Sequence, residues 1–244
     1  YTNLPGVCLV TAGPGSTNTI TGVTSAWLDS IPMIILSGQV QSKDIKGKRK
    51  VRQIGFQEVD IVSIVKSITK SAVTVTDPRN IKCVMECVWN EATTGRPGPV
   101  WVDIPLDVQS AQINIEELRS FIPEEKEDKS KELKEKITKL YELLNASKRP
   151  IIMVGNGVRL ADAKEEFLQL IDKLNVPVLT TWKSMDFMSE NHPLYVGRPG
   201  LIGQRGANFS QQNSDLFISL GARLDYGQTA FNHKNFAKRA KKII

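Results

Sequence analysis

Apolar residues in this chain gather in short unbroken runs, and between the runs they recur every three or four positions. Runs at 7–11, 33–37, 72–75 and 100–104 form one series, and runs at 151–154, 178–181, 216–220 and 242–244 form a second. Strands wetted on one side alternate apolar with polar residues, so unbroken runs of this length suit strands covered on both faces. The intervening periodicity predicts helices at 17–28, 78–93, 131–145, 161–174 and 204–212. Strand and helix patterns that take turns along a chain belong to an α/β fold with parallel sheets. Two series predict two consecutive parallel-sheet domains.

The stretch 115–129 breaks the pattern. It includes PEEKEDK and few apolar residues, the composition of a linker. The expected organisation is a domain over 1–112, a linker over 113–129 and a second domain over 130–244. The helix after the linker places Leu133, Ile137, Leu140, Tyr141 and Leu144 on one stripe, with Glu132–Lys136 and Glu135–Lys139 as supporting pairs. It is expected to dock along that stripe on the second domain. A buried-type run starts within a few positions of Tyr1, and the final KKII reads as a strand; both ends are expected to be truncations.

Composition narrows the class only a little. A hydrophobic content of 41% with 24% charged residues suits a soluble globular protein. No apolar run approaches the roughly 20 residues of a membrane helix, and no signal-peptide pattern opens the chain. Cys8, Cys83 and Cys87 are too few and wrongly spaced for a disulfide framework or zinc site, which favours a reduced, cytoplasmic setting. His192 and His233 lack ligand spacing. The net charge of +6 comes mainly from 43–52 and 238–242, without interleaved aromatics. That distribution reads as solvated surface rather than a nucleic-acid footprint. For 43–52, a loop near an anionic ligand stays open.

The turn TAGPGSTN at 11–18 lies between a predicted strand and a predicted helix. Gly13 and Gly15 let the backbone pass close to a ligand, and Ser16 or Thr17 is placed to cap the helix. Alone, this is equally a tight turn, since neither a Walker-A lysine nor a GxGxxG spacing is present. In the second domain Gly155, Asn156 and Gly157 also follow a strand and precede a helix, where a dinucleotide could approach.

The order GPGSTN, DSIPMIILSGQV, IGFQEVD and ATTGRPGPVWVDIPLDV resembles the pyrimidine-binding domain of acetolactate synthases and their thiamine-diphosphate-dependent relatives. RPIIMVGNG through SDLFISLGARLD resembles the same enzymes' Rossmann-like central domain. The resemblance implies a three-domain enzyme that forms dimers or tetramers, with a regulatory subunit as a further partner left open. Thiamine diphosphate would lie between the first domain of one subunit and the third of another, with magnesium held by that third domain. A 2-oxo acid would be decarboxylated and its remainder joined to a second carbonyl compound. The activating glutamate would precede residue 1, so no catalytic residue is assigned within the chain and these 244 residues alone are expected to be inactive.

By the same resemblance Gly13, Gly15 and Gln57 face thiamine diphosphate, and Phe56 and Pro32 line the approach of substrate. Arg96, Gly155, Asn156, Gly157 and Arg223 match positions near FAD in flavin-containing members. Plainer alternatives are that Phe56 packs in the core, that Gln57 caps a helix beginning near Val59, and that Arg96 pins a loop. Glu58 is not expected to replace the activating glutamate.

The chain departs from the synthase pattern in three places. Leu106 stands where IPKDV has lysine, Gly227 stands where GARFDDR has its second arginine, and GTDAFQE is shortened to IGFQE. Glycine cannot make an arginine's bidentate bonds to a carboxylate. The pattern therefore predicts an altered acceptor preference. Two other readings remain: a nucleotide-binding module without catalysis, and a structural relative that has lost the cofactor site.

Overall fold

The computed structural model describes residues 4–124 and 128–244. The chain divides into two compact units, Tyr1–Lys126 and Glu127–Ile244. In the first, strands β1 (Gly6–Val10), β2 (Met33–Gln39), β3 (Ala72–Thr74) and β4 (Pro99–Pro105) form a parallel sheet in the order β1-β2-β4-β3. Its helices are α1 (Pro14–Thr17), α2 (Ile20–Asp29), α3 (Ile61–Val65), α4 (Ile81–Thr93) and α5 (Leu106–Gln109).

The unbroken runs are explained by the two faces of this sheet. Ile34, Val100 and Val102 pack with Val88 and Ala92 of α4, while Ile35 and Trp101 pack with Val23, Ile61 and Val65 of α2 and α3. Neighbours in sequence thus serve opposite cores, each fully buried side chain contributing about 1.5–3 kcal/mol. Edge strand β1 departs from the expectation. Val7 and Leu9 are 63% and 79% exposed, because no element among the described residues covers that face.

In the second unit, β5 (Pro150–Val154), β6 (Val178–Thr180), β7 (Tyr195–Gly197), β8 (Leu216–Leu220) and β9 (Lys241–Ile243) run parallel in the order β7-β6-β5-β8-β9. Helices α6 (Ser130–Ala146), α7 (Gly157–Leu160), α8 (Lys164–Leu174) and α9 (Arg205–Asn213) complete it. Ile152, Val154, Leu216 and Ile218 pack with Phe167 and Ile171 of α8, and Ile151, Met153 and Phe217 with Ala207 of α9.

Differences from the pattern have local causes. The helix expected at 17–28 is two helices, and it starts earlier, at Pro14. Ser16 and Thr17 therefore sit inside α1 and cap nothing; the Ser16 hydroxyl turns back to the Thr11 carbonyl at 2.7 Å. The helix expected at 161–174 starts later, at Lys164; a separate turn of helix, α7, precedes it, and between the two Asp162 has a φ of 53°. Strand β7 is only three residues long and joins β6 through an irregularity in register, so periodicity misses it. The stripe on α6 docks only in part: Leu140 and Leu144 pack on the core, but Leu133, Ile137 and Tyr141 are exposed. The Glu132–Lys136 pair forms at 2.6 Å. Within the expected linker, the Phe121 amide donates to the Glu86 carboxylate of α4 at 2.7 Å, and residues 125–127 lie outside the described residues.

Asp215 ties the start of β5 to the start of β8. Its carboxylate accepts from the Ser147 hydroxyl and from the amides of Lys148 and Arg149, both at 2.9 Å. Burial alone would raise its pKa, but the Ser147 hydroxyl, those two amides and the Arg149 charge prevail and hold it at about 2, below its ordinary 3.8. A depressed folded-state pKa means that this stabilisation is present above about pH 4 and is lost as pH falls towards 2. Asp215→Ala is expected to cost about 2 kcal/mol at neutral pH. The gap to the parent chain should close as the pH is lowered towards 2, as measured by thermal unfolding at a series of pH values.

Candidate active-site wall

Parallel strands all end at the same edge of a sheet, so the loops that follow them gather there. Gly13 lies beyond the end of β1, and the 40–60 segment leaves the end of β2. The two meet: a Cβ on Gly13 would stand 2.4 Å from the Gln57 carbonyl oxygen. Gly13 has a φ of 60°, the left-handed region, so the position is closed to side chains twice over. Gln57 also has a φ of 60°, unusual outside glycine, and its side chain is exposed. Phe56 is 83% exposed. The core-packing alternative for Phe56 is thereby excluded. So is the cap alternative for Gln57, because Asp60 caps α3, accepting from the Ser63 amide at 3.1 Å.

Gly15 stands in the same turn, with its Cβ position against the Thr11 side chain. Gly13, Gly15, Phe56 and Gln57 are thus brought together as one wall. Pro32 is not part of it. It is buried at the start of β2, at the opposite edge of the sheet, and its carbonyl accepts from the Gly6 amide. Arg96 belongs to that opposite edge as well, where its Nε donates to the Ser30 hydroxyl at 2.7 Å. Ser30 is the left-handed cap of α2, so Arg96 pins a loop.

Of the carboxylates at the edge with Gln57, four are committed. Glu58 is buried and accepts from the amides of Lys46, Ile54 and Gly55. Burial alone would raise its pKa, but these amides and the Lys46 charge outweigh it and set the pKa below the usual value. Asp60 caps α3, and Asp107 accepts from the Ser42 amide and hydroxyl at 2.9 and 3.1 Å. Asp103 is buried between β2 and β3 and accepts from Ser37 at 2.5 Å and Gln39 at 3.0 Å. Burial pushes its pKa up, with the Asp60 charge adding to the rise and the donors from Ser37, Gln39 and Thr74 opposing it. Gln39 also donates to the Val59 carbonyl at 2.9 Å. Sequence reasoning missed this Asp103–Gln39 link; the signal was two polar side chains at the ends of otherwise apolar strands.

In the second unit, Gly155, Asn156 and Gly157 sit where β5 ends beside β8. A Cβ on Gly155 would lie 2.5 Å from the Ala222 Cα, and one on Gly157 would lie 2.7 Å from the Gly221 Cα. Their amides donate to the carbonyls of Leu220 and Gly221, both at 2.9 Å. Arg223 pairs with Asp225 at 3.2 Å. These glycines are accounted for by the packing of two turns. A residue not singled out from sequence stands beside the turn: Arg159 donates to Asn156 at 2.9 Å and to Asp186 at 2.5 and 2.7 Å, with its guanidinium over the Phe187 ring.

Gly13→Ala is expected to displace the loop at Gln57, since the new Cβ would clash with the Gln57 carbonyl. The left-handed conformation alone costs about 1–2 kcal/mol for a side chain. Amide exchange at Ile54 and Gly55 should accelerate. Gly22→Ala, whose new Cβ meets nothing within 4 Å, should leave it unchanged.

The comparisons with known proteins agree with this division. Residues 1–64 match the thiamine pyrophosphate enzyme N-terminal TPP-binding domain, and residues 137–244 match the thiamine pyrophosphate enzyme central domain. The chain is 38% identical over 247 residues to a probable acetolactate synthase large subunit of Methanococcus aeolicus, covering 98% of this chain and 39% of that protein. It is 37% identical to an acetolactate synthase large subunit of Corynebacterium glutamicum, covering 90% of this chain and 34% of that protein. With the isozyme 1 large subunit of Escherichia coli it shares 38% identity, over 91% of this chain and 38% of that protein. The chain thus spans about two fifths of the length of most of these relatives. On the two domain matches and these likenesses, the chain belongs to the thiamine pyrophosphate enzymes of acetolactate synthase type.

Proposed function

We propose that these two units serve a thiamine-diphosphate-dependent enzyme that decarboxylates a 2-oxo acid and joins the remainder to a second carbonyl compound. The observation that carries this reading is the contact between Gly13 and the Gln57 carbonyl, which makes one wall of two distant motifs. Thiamine diphosphate, when bound, supplies the nucleophilic carbon and the electron sink. Gly13 and Gly15 keep the backbone bare so that the ring can approach. Gln57 presents an exposed amide to orient a polar substrate, and Phe56 presents an apolar ring that excludes water once covered.

Four of the chain's own carboxylates at this edge are not free for proton transfer. Glu58, Asp60, Asp103 and Asp107 each already accept from amides or hydroxyls. The 244 residues alone are therefore expected to be inactive, with the activating acid and the magnesium ligands supplied by other residues. Self-assembly into dimers or tetramers, and action in the cytoplasm, belong to the same proposal.

The acceptor differs from that of a synthase joining two molecules of pyruvate. Gly227 leaves no arginine for the acceptor carboxylate, and its neighbour Gln228 does not substitute. Gln228 is buried and donates to the Pro199 carbonyl at 2.9 Å. With thiamine diphosphate and magnesium, the complete open reading frame is expected to release carbon dioxide from pyruvate while forming little acetolactate. Gln57→Ala should lower turnover about tenfold or more, in the range of a lost orienting contact. No carbon dioxide release from any 2-oxo acid would refute the enzyme reading; robust acetolactate formation would refute the altered acceptor.

Flavin is the second cofactor raised by the resemblance. The glycine amides at β5 are already used by Leu220 and Gly221, which supports a protein that works without it. An absorption spectrum of the complete protein should lack the flavin band at about 450 nm, the absence expected of a site with no bound cofactor.

A further inference from the structure

Residues 43–52 carry six cations, Lys43, Lys46, Lys48, Arg49, Lys50 and Arg52, against one acid, Asp44. A charged run of this kind is ordinarily a solvated face, and its sequence alone says no more. Its anchoring says more. At one end, Ser42 is held by Asp107 through two hydrogen bonds. At the other, Ile54 and Gly55 donate to Glu58, which also takes the Lys46 amide from within the loop. The Gly55 amide donates to the Asp44 carbonyl at 3.2 Å, closing the loop on itself. Glu58 is the residue next to Gln57, so the whole loop is tied to the candidate wall rather than hung from it.

The anchoring also decides the balance of charge. Glu58, Asp60 and Asp107 are turned towards backbone donors rather than towards the loop's side chains, and even with these three and Asp44 counted, six cations against four acids leave the segment positive. Lys46 has a carboxylate partner in Glu58, through its charge. Lys43, Lys48, Arg49, Lys50 and Arg52 are exposed. One bound carboxylate needs one cation, or one bidentate arginine. Five exposed cations in ten residues are far more than a simple 2-oxo acid requires.

We propose that the 43–52 loop is an anion-collecting rim of the thiamine diphosphate wall, suited to a substrate that carries a phosphate or diphosphate group. It deepens the function proposed above and rests on that reading only for what lies behind the rim. Cations around an approach raise the local concentration of a polyanion and speed its capture, with a strong dependence on ionic strength. A monoanion gains much less.

The test is hydrogen–deuterium exchange on the complete protein loaded with thiamine diphosphate, with inorganic pyrophosphate, pyruvate and a single-stranded oligonucleotide as probes. Pyrophosphate is expected to slow exchange across 43–58, and pyruvate at equal concentration to do so much less. The pyrophosphate concentration for half effect should rise at least about tenfold between about 0.02 and 0.3 M salt, as screening shortens the reach of each charge. Lys48→Gln/Arg49→Gln/Lys50→Gln should produce a rise of similar size at low salt. Without a probe, the amides of Ile54 and Gly55 should stay as protected in this variant as in the parent, which shows that the loop is still folded. Pyrophosphate protection that is absent, or that survives the triple substitution, would overturn the proposal, as would tighter binding of the oligonucleotide than of pyrophosphate. If the protein takes up no thiamine diphosphate, the enzyme reading fails, and the same exchange experiment on the unloaded protein still decides for or against the rim.

Discussion

One buried carboxylate organises the loop-bearing edge of the first unit. Glu58 gathers the amides of Lys46, Ile54 and Gly55, and so closes the segment between β2 and α3 into a fixed shape. Closing a loop of about ten residues costs roughly 2 kcal/mol in chain entropy. Hydrogen bonds to a charged group contribute about 1.5–3 kcal/mol each, so the amides together exceed that cost. The same bonds compensate the charge for leaving water, which explains why a glutamate can be buried here with its pKa below normal. Gln57 is held beside Gly13 because its neighbour cannot move.

Asp103 fastens that loop to the sheet. Ser37 joins the side chains of Trp101 and Asp103, accepting from the indole at 2.8 Å and donating to the carboxylate. Gln39 then carries the connection from Asp103 to the Val59 carbonyl, one residue beyond Glu58. A polar network inside an apolar sheet is costly unless its members are satisfied, and here each bond also fixes a direction. Strand order, loop shape and the exposure of Phe56 and Gln57 are therefore one mechanical chain. It runs from β4 through β2 to the wall.

Much of this architecture was legible because the physics behind it is local. Unbroken apolar runs reported two-sided burial, and Ile34 and Ile35 serve opposite cores as such a run requires. The motifs that hold Gly13 and Gln57 lie far apart in sequence, and the fold brings their backbones into contact. What escaped was decided by distance along the chain. The role of Pro32 depends on which end of β2 it occupies, and a motif string carries no sense of edge. The role of Arg96 depends on Ser30, 66 residues away. The α6 stripe reads as continuous, yet Leu133, Ile137 and Tyr141 remain exposed, because periodicity reports a face but not the length of the surface beneath it. The Asp103–Gln39 link was equally invisible, since it forms across 64 residues.

Glycine shows most clearly why a motif does not name its own function. Gly13 and Gly155 both follow a parallel strand, and in both a Cβ would strike backbone. At Gly13 the obstacle is a protruding loop whose side chains face outward, so the contact builds a surface that a ligand can meet. At Gly155 the obstacle is the neighbouring turn after β8, and the amides of Gly155 and Gly157 are spent on that same turn. The contact there lies at the point where the strand order of the sheet reverses, and it packs the two turns against each other. Two turns that look alike in sequence thus do opposite work. The first unit leaves Phe56 and Gln57 exposed at its sheet edge, while the second packs its edge turns against each other.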